Sequence, residues 1–128
     1  MAHIAKVKKV YEYNDLGEGE VLLKIEGLEI KCETSDIFIE ETHCIVNLSI
    51  KHAEIIKICP HKICYEVMES SNCMTILKGI IMKSLNKREF IIESLLEIRV
   101  SSDKDIDIEL STGDFIEVKG ILHVNLII

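Results

Sequence analysis

Tryptophan is absent, proline occurs once, at Pro60, and aromatic residues make up 5% of the 128-residue chain. So little proline, with only six glycines, excludes collagen-like and Pro/Gly-rich disordered classes. The scarcity of aromatics limits surfaces for stacking bases or sugars. Tyr11, Tyr13, Phe38, Tyr65, Phe90 and Phe115 are the whole supply, and no pair of them is interleaved with Lys or Arg as a stacking platform requires. No apolar run approaches the roughly 20 residues needed to span a bilayer as a helix. The start Met1-Ala2-His3-Ile4-Ala5-Lys6 has no signal-type hydrophobic region, so a cytoplasmic protein without a membrane anchor is expected.

Basic clustering is also missing. The net charge is −7 and the lysines alternate with glutamates, which repels a phosphate backbone at long range and argues against a nucleic-acid partner. Cysteines at positions 32, 44, 59, 64 and 73 are odd in number and unevenly spaced, so a disulfide framework is not expected. What is abundant is aliphatic, above all isoleucine, whose branched side chain suits a pleated, half-buried surface. The 48% hydrophobic content is enough for one substantial core. No repeat, low-complexity run or flexible linker divides the chain, and we expect a single domain over residues 1–128.

Period-2 patterning dominates. Around Glu26-Gly27, a two-residue loop pairs Ile25 with Leu28, Leu23 with Ile30 and Val21 with Cys32 on a buried side, and sets Lys24 opposite Glu29 on the wet side. Glycine at the second loop position supplies the positive φ of a type I′ turn. Residues 4–13 read as a first strand, ended by the polar residues 14–19. Val46, Leu48 and Ile50 alternate with polar residues, Ile37 and Ile39 flank an oppositely directed Phe38, and both stretches predict strands. Residues 74–83 predict another, in which Gly79 marks a bulge or a sharp bend. Over residues 88–100, Phe90, Ile92, Ser94, Leu96, Ile98 and Val100 fit a strand. A helix is the competing reading there, because Glu89, Glu93 and Glu97 recur every four residues and Asn86 with Glu89 forms a capping-box pattern. Ile106, Ile108 and Leu110 alternate with acids, residues 111–114 turn, and residues 115–128 run extended, which predicts a second hairpin.

The last fifty-odd residues, with a strand containing Gly79, later strands and a closing Gly113-Asp114-Phe115-Ile116-Glu117-Val118-Lys119-Gly120 segment, resemble an OB-fold barrel, in which a turn leads into a strand and a second glycine relieves crowding at a bend. The strand patterning predicts an all-β or mainly β domain of about eight to ten short strands with at most one helix, and the resemblance implies that it closes into a small OB-fold-like barrel. It also implies a possible use in binding oligonucleotides or oligosaccharides.

Cys59, His61 and Cys64 put two thiols and an imidazole within six residues, which suggests structural zinc if His43, Cys44, Cys32 or Cys73 supplies a fourth ligand. The competing reading makes Cys59 and Cys64 small core residues and His61 a loop residue. His43 and Cys44 are adjacent, so on a strand they face opposite ways and form no catalytic pair. The pairs Glu40-Glu41, Glu18 with Glu20, and Glu93 with Glu97 read as solvated faces, because none is set in an apolar pocket that would raise a carboxyl pKa. Gly17-Glu18-Gly19 lacks the third glycine and the helix of a nucleotide loop. No catalytic constellation or cofactor site is identified. The terminal residues 120–128 are apolar on both faces, as a central strand or as an edge that pairs with another copy. Together these features predict a non-catalytic binding or assembly module whose partner is a protein or a second copy of itself. An OB-like oligonucleotide or oligosaccharide binder and a small zinc protein are the alternatives.

Overall fold

The computed structural model describes residues 2–57, 64–67, 73–106 and 109–128. It is mainly β, with no α-helix among the described residues, and its contacts divide the chain into two units. The first comprises Met1–Leu48 with Leu122–Ile128, the second Ser49–Ile121. Strands β4 (His43–Lys57) and β9 (Phe115–Leu126) contribute residues to both.

In the first unit, β1 (Ala2–Val10) runs antiparallel to β2 (Gly19–Ile25) and, along its other edge, to the start of β4. Strand β2 pairs with β3 (Leu28–Thr34) in the register read from the sequence, with Leu23 opposite Ile30, Val21 opposite Cys32 and Lys24 opposite Glu29. Glu26 (φ 50) and Gly27 (φ 81) both take the left-handed backbone of a type I′ turn. Strand β3 is parallel to β9 where Glu33 lies beside His123. Strict alternation buries Val21, Leu23 and Ile25 from β2, and Ile30 and Cys32 from β3. Val46 and Leu48 of β4 are buried as expected.

Residues 35–42 correct the expected strand around Phe38: they form a loop. Its backbone bonds are local or reach single strand residues. The Asp36 N–H donates to Thr34 Oγ1 (3.0 Å), Glu41 N–H to the Val7 carbonyl (2.8 Å), and Leu126 N–H to Asp36 Oδ2 (2.7 Å). Phe38 is buried, while Ile37 and Ile39 point outward.

In the second unit, β6 (Met74–Ser84) pairs along one edge with β5 (Cys64–Val67) and β7 (Glu89–Glu93), and along the other with β9, from Met74 opposite Ile121 to Ile80 opposite Phe115. Strand β7 turns back into β8 (Glu97–Ser101), which lies parallel to β4 at Ser49 and Ile50. The helix alternative for residues 88–100 does not form. Those residues make a hairpin, and the six predicted inward residues, Phe90, Ile92, Ser94, Leu96, Ile98 and Val100, are all buried.

Two glycines permit close backbone approaches. A Cβ on Gly79 would lie 2.4 Å from the Glu93 carbonyl oxygen, and one on Gly120 would lie 2.5 Å from Ile50 Cγ2 and 2.7 Å from the Lys51 carbonyl oxygen. The register shift of β6 falls between Ile81 and Lys83, so Gly79 marks contact with a neighbour and the bulge follows it. Opposite Gly120, His52 (φ 56) inserts one extra residue into β4, and the buried positions change from Ile50 to Ala53.

The predicted hairpin before Ser111 is also corrected. Residues 105, 106, 109 and 110 are not strand, and the first part of β9 pairs with β6. Ile106 instead donates its N–H to the Lys87 carbonyl (2.9 Å), while the turn at 111–114 is held by Ser111 N–H to Asp114 Oδ2 (2.8 Å).

Candidate functional site

On β3, burial of Ile30, Cys32 and Thr34 leaves Lys31 and Glu33 on the opposite face, and that face carries a row of polar side chains across the first unit. Tyr11 prolongs the β1–β2 pairing, its N–H donating to the Glu20 carbonyl (3.0 Å). The ammonium groups of Lys9 and Lys31 lie 4.9 and 4.6 Å from the Tyr11 ring centre, within cation–π range. Lys31 also reaches Glu20 Oε1 (3.8 Å), and Glu20 is the cross-strand neighbour of Glu33. The row ends on β9, where His123 Nδ1 lies 3.7 Å from Glu33 Oε1 and His123 Nε2 lies 3.1 Å from Asn125 Oδ1.

Sequence reasoning missed both ends of this row. Lys31 joins Tyr11 only through folding, and His123 was read as part of an apolar run. Alternation puts it opposite the buried Leu122 and Val124, yet it is only 4% exposed.

The same unit carries a separate apolar surface. Ile4 of β1 is 73% exposed and stands opposite Ile45 of β4, whose backbone exchanges hydrogen bonds with Ile127 and Ile128. Ile128 is 78% exposed, and the hydrogen-bonded loop at 35–42 presents Ile37 and Ile39 at 79% and 67%. Tyr13 anchors this loop through its hydroxyl, which donates to the Asp36 carbonyl (2.5 Å). Burial, with a smaller contribution from the Asp36 carboxylate, pushes the Tyr13 hydroxyl pKa up against the lowering effect of a backbone bond from Phe38.

In the second unit, a pocket of about 160 Å³ is lined by Ile81, Phe90, Ile106 and Leu110 with Ser84, Asn86 and Lys87. Beside it, Glu89 accepts hydrogen bonds from Asn86 Nδ2 (3.0 Å) and Arg99 Nε (2.7 Å), which hold its carboxyl below the ordinary range. His52 Nδ1 contacts both carboxylate oxygens of Asp103 (2.8 and 2.9 Å).

Of the zinc ligands read from sequence, Cys59 and His61 lie outside the described residues. Cys64 opens β5 opposite Lys78, with its side chain also outside them. Among the alternatives for a fourth ligand, Cys32 and Cys73 are buried, Cys44 is half-buried and His43 is exposed. Among the described residues no group of three or more His, Cys, Asp and Glu side chains is placed to hold a metal, and no helix is long and apolar enough to cross a membrane. Comparison with protein-family models, curated proteins and solved structures finds no match.

Proposed function

We propose that this chain is a non-catalytic binding or assembly module that acts through protein–protein contacts. The observation carrying the reading is the loop at 35–42, which is hydrogen-bonded to β1 and β9 yet turns Ile37 and Ile39 to solvent. Large apolar side chains held out by an anchored backbone are what a docking surface requires, and Ile4, Ile127 and Ile128 enlarge the apolar exposure of the same unit. The thiols of Cys32, Cys44 and Cys73 support a reducing, cytoplasmic setting. The close approaches at Gly79 and Gly120 support the OB-fold-like barrel as its scaffold.

A photo-crosslinking residue at position 37 tests the reading. We expect a discrete protein adduct, either a second copy or another chain, that disappears in an I4S/I128S background and does not form from position 18 on the polar 14–19 connection. Absence of any adduct at position 37, or equal labelling at position 18, would refute the proposal.

A second reading, an OB-like oligonucleotide- or oligosaccharide-binding module, draws on Lys9, Tyr11 and Lys31, which bring together the cation and aromatic that such ligands use. Oligonucleotide binding that weakens steeply with salt and is lost in Y11A would favour it. Salt-insensitive or absent binding of oligonucleotides, with no Tyr11-dependent saccharide binding, removes it.

A further inference from the structure

We propose that Glu33 and His123 form a two-ligand site for a divalent transition-metal ion of the zinc type. The reasoning starts at Asn125, whose Oδ1 lies 3.1 Å from His123 Nε2. A carbonyl oxygen can only accept, so this contact suits the tautomer with its proton on Nε2, in which Nδ1 carries the lone pair. That lone pair is buried and has no hydrogen-bond partner among the described residues. Glu33 Oε1, itself an acceptor, lies 3.7 Å away. In that tautomer two acceptors, one of them anionic, face each other across a gap that a cation bridges.

The gap has the dimensions of a metal chelate. Zinc binds imidazole nitrogen at about 2.0–2.1 Å and carboxylate oxygen at about 2.0–2.2 Å, which at a tetrahedral angle places the ligand atoms about 3.4 Å apart. A small rotation of the half-exposed Glu33 side chain closes the difference. Asn125 supplies the outer partner that a ligating histidine characteristically has, fixing the tautomer through the other ring nitrogen. Adjacent Glu20 adds negative charge, offset by Lys31 at 3.8 Å. The site is distinct from the thiol-rich segment around Cys59 and Cys64, and it binds through nitrogen and oxygen alone.

Titration of the intact chain with Co²⁺ and with Zn²⁺ against a chromophoric chelator tests this. We expect one metal equivalent whose Co²⁺ spectrum lacks a thiolate charge-transfer band, with affinity at least tenfold weaker in E33Q and H123Q and 10- to 100-fold weaker in N125A. The E33Q change is at a half-exposed position, so its circular dichroism should be unchanged even if H123Q unfolds. Nitrogen-detected NMR of the imidazole should show metal-induced movement of Nδ1 in the wild type. Three results would each overturn the proposal: no metal binding, binding unaltered by E33Q, or a thiolate band that accounts for the bound metal.

Discussion

Replacing Gly79 by alanine tests the packing of the second unit most sharply. The new Cβ would lie 2.4 Å from the Glu93 carbonyl oxygen, 3.0 Å from its carbon and 3.3 Å from Ser94 Cα, all main-chain atoms that no rotamer change can move. Relief to ordinary contact at 3.4 Å requires β6 and the β7–β8 turn to part by roughly an ångström. That displacement pulls on the Ile80–Glu93 pairing and on the Ser94 hydroxyl, which donates to the Lys78 carbonyl at 2.8 Å. Overpacking of this kind costs about 1–3 kcal/mol. A weakened hydrogen bond adds about 0.5–1.5 kcal/mol. The lost flexibility of the unfolded chain returns only about 0.4–1 kcal/mol. The net is a destabilisation of roughly 0.5–4 kcal/mol, centred near 2, and a fall in Tm on the order of 10 °C for a chain of this size. Urea unfolding followed by circular dichroism would show a lower midpoint. A G79A variant within about 0.5 kcal/mol of wild type would refute the close approach.

Glu89 makes a pH-dependent contribution. Its folded pKa is lowered, chiefly by the Asn86 and Arg99 hydrogen bonds, so its contribution is fully present above the ordinary value of 4.5 and is lost as pH falls through the lowered value. E89Q should therefore flatten the acid limb of the stability profile by no more than about 1 kcal/mol, as urea titrations across pH 3–6 would show. An unchanged limb would refute the interaction. Burial pushes the Cys44 thiol pKa up, and the thiolate is the reacting form, so Cys44 should alkylate more slowly than a small-molecule thiol at pH 8. Site-resolved mass spectrometry should show Cys32 and Cys73, both buried, reacting only on unfolding; equally fast labelling of all three would contradict their placement.

Why one hairpin was legible and another was not follows from parity. The loop at Glu26-Gly27 has two residues, so buried positions change from odd numbers in β2 to even numbers in β3, and the alternation visibly breaks at a glycine. The turn between Glu93 and Glu97 has three, so even positions stay buried on both sides and the hairpin hides inside what looks like one long strand. Ser94-Leu95-Leu96 also lacks the Gly, Asn or Asp that usually marks a turn. Residues 37–39 mislead in the opposite direction. Their alternation is real, with Phe38 in and its neighbours out, but hydrogen bonds of the loop to single residues of β1 and β9 replace a strand ladder.

The Glu33–His123 pair was illegible for a different reason. Nothing within either strand marks it, because Glu33 occupies an ordinary outward position and His123 sits between two core residues. What joins them is a parallel pairing between segments 90 residues apart, a kind of contact that local periodicity does not encode. Alternation would turn His123 to water, where an imidazole needs no partner. Its burial on that face changes the requirement, because a buried ring nitrogen must be satisfied or it costs about 1–3 kcal/mol. An apolar side chain at position 123 would avoid that cost at no loss to the strand. The buried Nδ1 has no hydrogen-bond partner among the described residues and faces Glu33 at 3.7 Å, and that pairing is the observation on which the proposed cation site rests.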